Sequence, residues 1–125
     1  MTERLLRAIE NPHVDILGHP TGRRILRRAP YGFDMEAVID AAASRGVAME
    51  INCQIDRLDL NDVQARMAVE RGARIVISSD AHSRSAFARL QWGVITGRRA
   101  WLTRDHVLNT RPFDDFRSLL RRNRR

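Results

Sequence analysis

A chain of 125 residues and 14.4 kDa has room for one domain around one hydrophobic core, and its 43% hydrophobic content excludes wholesale disorder. The net charge of +7 rests on 22 basic residues, all arginine, and the pI is near 11.4. A guanidinium fork grips phosphate through two bonds, so this balance points to nucleic acid or a phosphorylated ligand as partner. GC-rich codon usage would explain arginine over lysine without explaining the excess of positive charge.

No apolar run approaches the roughly 20 residues of a membrane span. The start, Met1-Thr2-Glu3-Arg4, lacks a secretory apolar core, and a cytoplasmic location is expected. The single cysteine, Cys53, excludes an internal disulfide and reads as a core thiol in a reducing compartment.

Thr2 to Glu10 carries Leu5, Leu6, Ala8 and Ile9 at helical spacing and should end at Asn11-Pro12. Val14, Ile16 and Leu17 supply a first strand, closed by Gly18-His19-Pro20. Thr21 to Gly32 reads as a loop bearing Arg23, Arg24, Arg27 and Arg28. Asp34 is an N-cap for a helix through Arg45, with Met35, Val38, Ile39, Ala42 and Ala43 on one face and Gly46 ending it. Val47 to Asn52 is a second strand.

After the polar loop Gln54 to Leu60, Asn61 caps a helix to Arg71 with Val63, Met67 and Ala68 inward, and Gly72 closes it. Arg74 to Ser78 is a third strand, its Ile75-Val76-Ile77 suited to burial on both faces. A short helix is expected from Ser83 to Leu90, while Gln91 to Ala100, with two glycines, is ambiguous. Thr103 reads as the N-cap of a short surface helix over Asp105 to Asn109, and Pro112 starts a last helix that runs into an arginine-rich tail. Trp92 and Trp101 read as packing residues.

Strand-helix alternation of this kind predicts an α/β fold built from parallel βα units. Each strand then ends on polar residues: His19, next Glu50 and Asn52, then Asp80 and His82. Parallel α/β folds place their chemistry at those C-terminal ends. Asp80 and His82 offer a hard oxygen and an imidazole nitrogen two positions apart, and with His19 they form a candidate metal-ligand set.

Glu50 and Asn52 are candidates to orient the ligands or meet a phosphate, and Arg23 and Arg24 to contact a phosphate backbone. The competing readings are plain: a capping histidine, a Glu50 paired with arginine, an Asn52 closing a turn, a solvated arginine loop. His13 and His106 are assigned to structure.

Taken together, these stretches resemble a known family. His13-Val14-Asp15-Ile16-Leu17-Gly18-His19-Pro20-Thr21-Gly22-Arg23, Ala48-Met49-Glu50-Ile51-Asn52, Arg57-Leu58-Asp59-Leu60-Asn61-Asp62 and Ile77-Ser78-Ser79-Asp80-Ala81-His82 are similar to late segments of PHP (polymerase and histidinol phosphatase) domains. The likeness is greatest to the PHP domain of bacterial and archaeal family X DNA polymerases. His106-Val107-Leu108-Asn109-Thr110-Arg111-Pro112 is similar to the end of those chains.

The resemblance implies the C-terminal part of a distorted TIM-like barrel of seven β/α units, with Zn or Mn ions at the strand ends. It implies phosphoester hydrolysis, and in the polymerases a 3′-5′ exonuclease used in DNA repair. By the same resemblance His19, Asp80 and His82 are metal ligands and Glu50 lies beside the site. The family's earlier ligands, beginning with His-x-His, and any polymerase domain have no counterpart in these 125 residues. A weak or incomplete metal site is therefore expected of this chain alone, with DNA as substrate in a larger protein. The alternatives are a docking module that self-associates or complements a missing N-terminal part, and a small-molecule phosphatase.

Overall fold

The computed structural model describes residues 1–120; the arginine-rich tail at 121–125 lies outside the described residues. Helix α1 (Thr2–Glu10) leads into strand β1 (Ile16–Leu17), followed by α2 (Met35–Arg45), β2 (Ala48–Asn52), α3 (Asp62–Glu70) and β3 (Ile75–Ser78). A 3-10 turn at Arg84–Arg89 continues into α4 (Leu90–Arg99). Two further 3-10 turns, Arg104–His106 and Leu108–Thr110, precede α5 (Phe113–Leu119).

The three strands form one parallel sheet in the order β1-β2-β3. Ile16 pairs with Ala48, and Met49 to Asn52 pair with Ile75 to Ser78. This is the α/β architecture of parallel βα units, with α2 and α3 as the crossovers. All five residues of β2 are buried because it is the central strand and both its faces are covered. One face joins the main core of Ile9, Val38, Ile39, Met49, Ile51 and Ile75. On the other, Ala48, Val76 and Leu108 pack with Phe116 and Leu119 of α5.

Local chemistry sets the helix ends. Asp34 accepts from the Ala37 N–H at 3.0 Å, and Gly46 takes the left-handed conformation at φ +68° that ends α2. Asn61 and Gln64 form a reciprocal capping box at the start of α3. His106 closes a similar box on Thr103, accepting its N–H at 3.0 Å, which is the structural role expected of it.

Several expectations need correction. Strand β1 holds two residues and excludes Val14, because only Ile16 and Leu17 reach register with β2. Val63 faces outward and is 68% exposed; the phase set by the Asn61 cap turns Ala65 inward in its place, beside Ala68, which is buried as expected. The stretch left ambiguous by residue type is helix through Arg99, and its glycines are contact points. A Cβ on Gly93 would lie 2.2 Å from Cys53 Sγ and 2.5 Å from Ile77 Cγ2, so only glycine lets α4 approach β2 and β3 this closely. Trp92 and Trp101 are not core packing residues, being 40% and 78% exposed. Residues 105–109 divide between two 3-10 turns and do not make one helix. Cys53 is buried as expected.

Candidate functional site

The C-terminal ends of β1, β2 and β3 are joined by side chains from β2. Glu50, nearly buried, accepts the His19 main-chain N–H at 2.5 Å and the Ser78 hydroxyl. Its Oε2 also accepts from Asn52 Nδ2 at 3.3 Å. Asn52 is fully buried; the same Nδ2 donates to Asp80 Oδ2 at 3.1 Å, while Oδ1 accepts the Gln54 N–H at 3.0 Å. One strand end thus holds its two neighbours in place.

Asp80 sits in the left-handed region, at φ +49°, where a non-glycine residue needs local support. Its carbonyl supplies that support, accepting from Gln54 Nε2 and lying 2.8 Å from His82 Nδ1. A carbonyl can only accept, so His82 Nδ1 carries a proton in this contact, and in the neutral ring the lone pair then lies on Nε2. The His82 side chain is 81% exposed, and its Nδ1 lies 3.9 Å from Asp80 Oδ1. Arg57 Nε stands 4.0 Å from Asp80 Oδ2.

Asp80 and His82 line a cleft of about 670 Å³ with Arg24, Arg27, Gln54, Asp56, Arg57 and Arg89. Four guanidinium groups face two carboxylates there, which gives the cleft a positive balance at the strand ends. Among the described residues, the buried Arg57 Nη1 beside it has no hydrogen-bond partner. Arg24 lines the cleft but is ion-paired with Asp56, and Arg89 donates to Gln54 Oε1.

The remaining candidates lie apart from it. His19 is exposed at φ +29° and lines a separate hollow of about 230 Å³ with Arg4, Leu17, Pro20, Arg28 and Tyr31. Among the described residues, no three His, Cys, Asp or Glu side chains converge on one point. Arg23 donates from Nε to the Arg57 carbonyl at 2.6 Å and from Nη2 to the Leu58 carbonyl, which makes it a clamp between two loops.

Asp80 Oδ1 and His82 Nε2 are a carboxylate oxygen and an imidazole nitrogen, donor types suited to Zn or Mn. They fit such an ion as part of a donor set, short of the three protein ligands that a catalytic zinc commonly takes.

Residue types alone gave little sign of Gln54, Arg57, Asp59, Thr21 and Arg89. Asp59 is fully buried and accepts the Thr21 N–H at 3.1 Å and its hydroxyl at 2.9 Å, pinning the loop after β1 to the loop after β2. Burial raises the Asp59 pKa above the ordinary carboxylate value, and the Thr21 hydrogen bonds and the Arg23 charge oppose that rise. Burial likewise pushes the Cys53 thiol up to about 11, against a hydrogen bond from the Gly93 backbone. It stays protonated, as a core thiol should.

No protein-family model matches the chain. Over 121 residues, 97% of its length, it is 40% identical to the DNA polymerase/3′-5′ exonuclease PolX of Bacillus subtilis, of which it spans 21%. It is 35% identical over 115 residues to a probable phosphatase of Thermoanaerobacter, spanning 44% of that protein. A probable phosphatase of Vibrio atlanticus is 39% identical over 88 residues, 33% of its length. The chain therefore covers less than half of each of these relatives.

Proposed function

We propose that the chain, similar to the family X DNA polymerase and to the probable phosphatases, is a PHP-type unit that serves metal-dependent phosphoester hydrolysis on DNA. The observation that carries this reading is the arginine-lined cleft with Asp80 and His82 on its wall. In this reading the three strands belong to a larger TIM-like barrel and Asp80 and His82 contribute to a Zn or Mn site, which His19, on a separate hollow here, joins only in the completed barrel. The remaining donors come from outside the described residues, from a second copy or from a longer parent protein.

When bound, such an ion supplies Lewis-acid activation of water and offsets phosphoryl charge. The chain's own residues do the rest. Arg27, Arg57 and Arg89 attract and orient the phosphate, and Glu50 and Asn52 hold the three strand ends in register. Arg24 reaches a phosphate by exchanging its bond to Asp56 for one to the substrate. Arg23 acts by fixing the loop that carries Arg57.

Zn²⁺ and Mn²⁺ titration, with a single-stranded DNA exonuclease assay, tests the proposal. The expected result is weak metal binding lost in Asp80→Ala and His82→Ala, with slow Mn²⁺-dependent turnover or none. Metal affinity unchanged in both variants would sink it. Faster release of phosphate from a small monoester than of nucleotides from DNA would move the substrate to the phosphatase class.

A second reading is favoured by the apolar groups left in solvent around α4. Phe87, Trp92, Val94, Ile95 and Trp101 are exposed, as a docking or self-associating surface would be. A metal-free dimer in light scattering, with no Asp80-dependent metal binding, would support that module.

A further inference from the structure

Two side-chain amides at the end of β2 reach the same residue on the next strand. Asn52 takes the Asp80 carboxylate by Oδ2 at 3.1 Å, and Gln54 donates to the Asp80 carbonyl. We infer that Asn52 and Gln54 are positioning residues that fix which atoms of the Asp80–His82 pair face the cleft. This rests on the reading of Asp80 and His82 as metal donors.

Turn formation alone does not call for these amides. The turn after β2 needs one acceptor for the Gln54 N–H, and Asn52 Oδ1 provides it at 3.0 Å. Serine or aspartate would serve equally there. The Nδ2 group does something else, standing between Glu50 Oε2 at 3.3 Å and Asp80 Oδ2 at 3.1 Å. An NH₂ with two protons is the one small side-chain group that bridges two carboxylates without adding charge. It engages Oδ2 and leaves Asp80 Oδ1 for a ligand.

Gln54 has its own orienting partner. Arg89, which can only donate, takes Gln54 Oε1 and so turns Nε2 towards Asp80. The carbonyl it holds is the one that His82 Nδ1 meets at 2.8 Å. Gln54 thereby supports the left-handed Asp80 backbone and fixes the carbonyl that His82 Nδ1 meets, which favours the Nδ1–H form of the neutral ring. Support of this kind for a metal ligand is commonly worth about 10- to 100-fold in metal affinity.

Asn52→Ser keeps a turn acceptor and removes the bridge, while Gln54→Met removes the second donor from a half-buried position less demanding of the fold. In the full chain without metal, three-bond couplings report the Asp80 side-chain rotamer and imidazole ¹⁵N shifts report the His82 tautomer. Zn²⁺ affinity is read by competition with a chromophoric chelator.

We expect one Asp80 rotamer in the wild type and averaging in Asn52→Ser. A single Nδ1–H tautomer of His82 should become a mixture in Gln54→Met, and Zn²⁺ should bind about tenfold or more weakly in both. Unchanged rotamer, tautomer and affinity would overturn the inference, and Gln54→Met alone decides it if Asn52→Ser does not fold. If Asp80→Ala binds Zn²⁺ as tightly as wild type, the metal-donor reading fails. The rotamer and tautomer shifts would still uphold the positioning role.

Discussion

The two outer ends of the sheet are built differently. At the end of β3, Asp80 is held by its carboxylate and its carbonyl, from Asn52, Gln54 and His82, with Arg57 close by. At the end of β1, His19 is held through its main-chain N–H by Glu50, and its ring lines a different hollow. Burial explains the contrast. Strand β3 pairs with β2 over four residues and lies under α4, whereas β1 pairs over two and keeps Ile16 exposed. A side chain at the supported end inherits a fixed backbone, and one at the thin end does not. The rim is a rigid half joined to a loosely specified half, with Glu50 as the joint.

The largest expected effect comes from loading the two halves with the same methyl group. Gly93→Ala drives a Cβ into Cys53 and Ile77 beneath the end of β3, and should cost about 3 kcal/mol in urea unfolding. Gly18→Ala, at the end of β1, places its Cβ 3.5 Å from Glu50 Oε2, an ordinary contact, and should change stability by less than about 0.5 kcal/mol. Equal losses at both positions would show that the two ends are equally constrained.

Thr21→Ala probes a buried polar clasp on the β1 side and should cost about 1 to 2 kcal/mol at neutral pH. Its pH dependence has a definite sign. The Asp59 pKa is raised in the folded state, so its contribution to stability is fully present below the ordinary carboxylate value and is lost as pH rises through the folded one. Removing the Thr21 hydroxyl raises that pKa further. The deficit should therefore be widest at neutral pH and narrow towards about pH 3, measured as urea midpoints.

The smallest effect concerns Cys53, under the supported half. Its thiol should resist an aromatic disulfide reagent in the folded chain and react once urea unfolds it. Because its folded pKa is raised from 9.0 to about 11, its contribution to stability persists below 9.0 and is lost as pH climbs towards 11. Rapid labelling of the native chain would mean that α4 lifts from β2 readily.

Much of the fold was legible in the residues. Helix α1 spans the stretch marked by its periodicity, and Asp34, Gly46 and Asn61 end their helices where local hydrogen bonding requires. The Ile75-Val76-Ile77 run lies in β3 as its β-branched composition implied. The glycines of 91–100 misled because the residue type that weakens a helix also permits close packing of one. Val63 and the tryptophans misled because hydrophobicity does not say which partner is present to cover a side chain.

In the site, Glu50 and Asn52 were recognisable as polar ends of a strand that ought to be buried. Gln54, Arg57, Asp59 and Arg89 were not, since they matter through partners 23 to 38 residues away in the chain. No local pattern encodes such distances.

The sequence by itself determined the parallel α/β class, the helix caps, the relationship to family X polymerases and the polar character of every strand end. Those follow from periodicity, capping chemistry and residue type, which act over a few residues. Only the tertiary structure decided that β2 side chains tie the rim together, that Asp80 and His82 share a basic cleft, and that His19 faces another hollow. Strand register and the depth of helix packing fix those relations, and both are set by how distant segments bury one another.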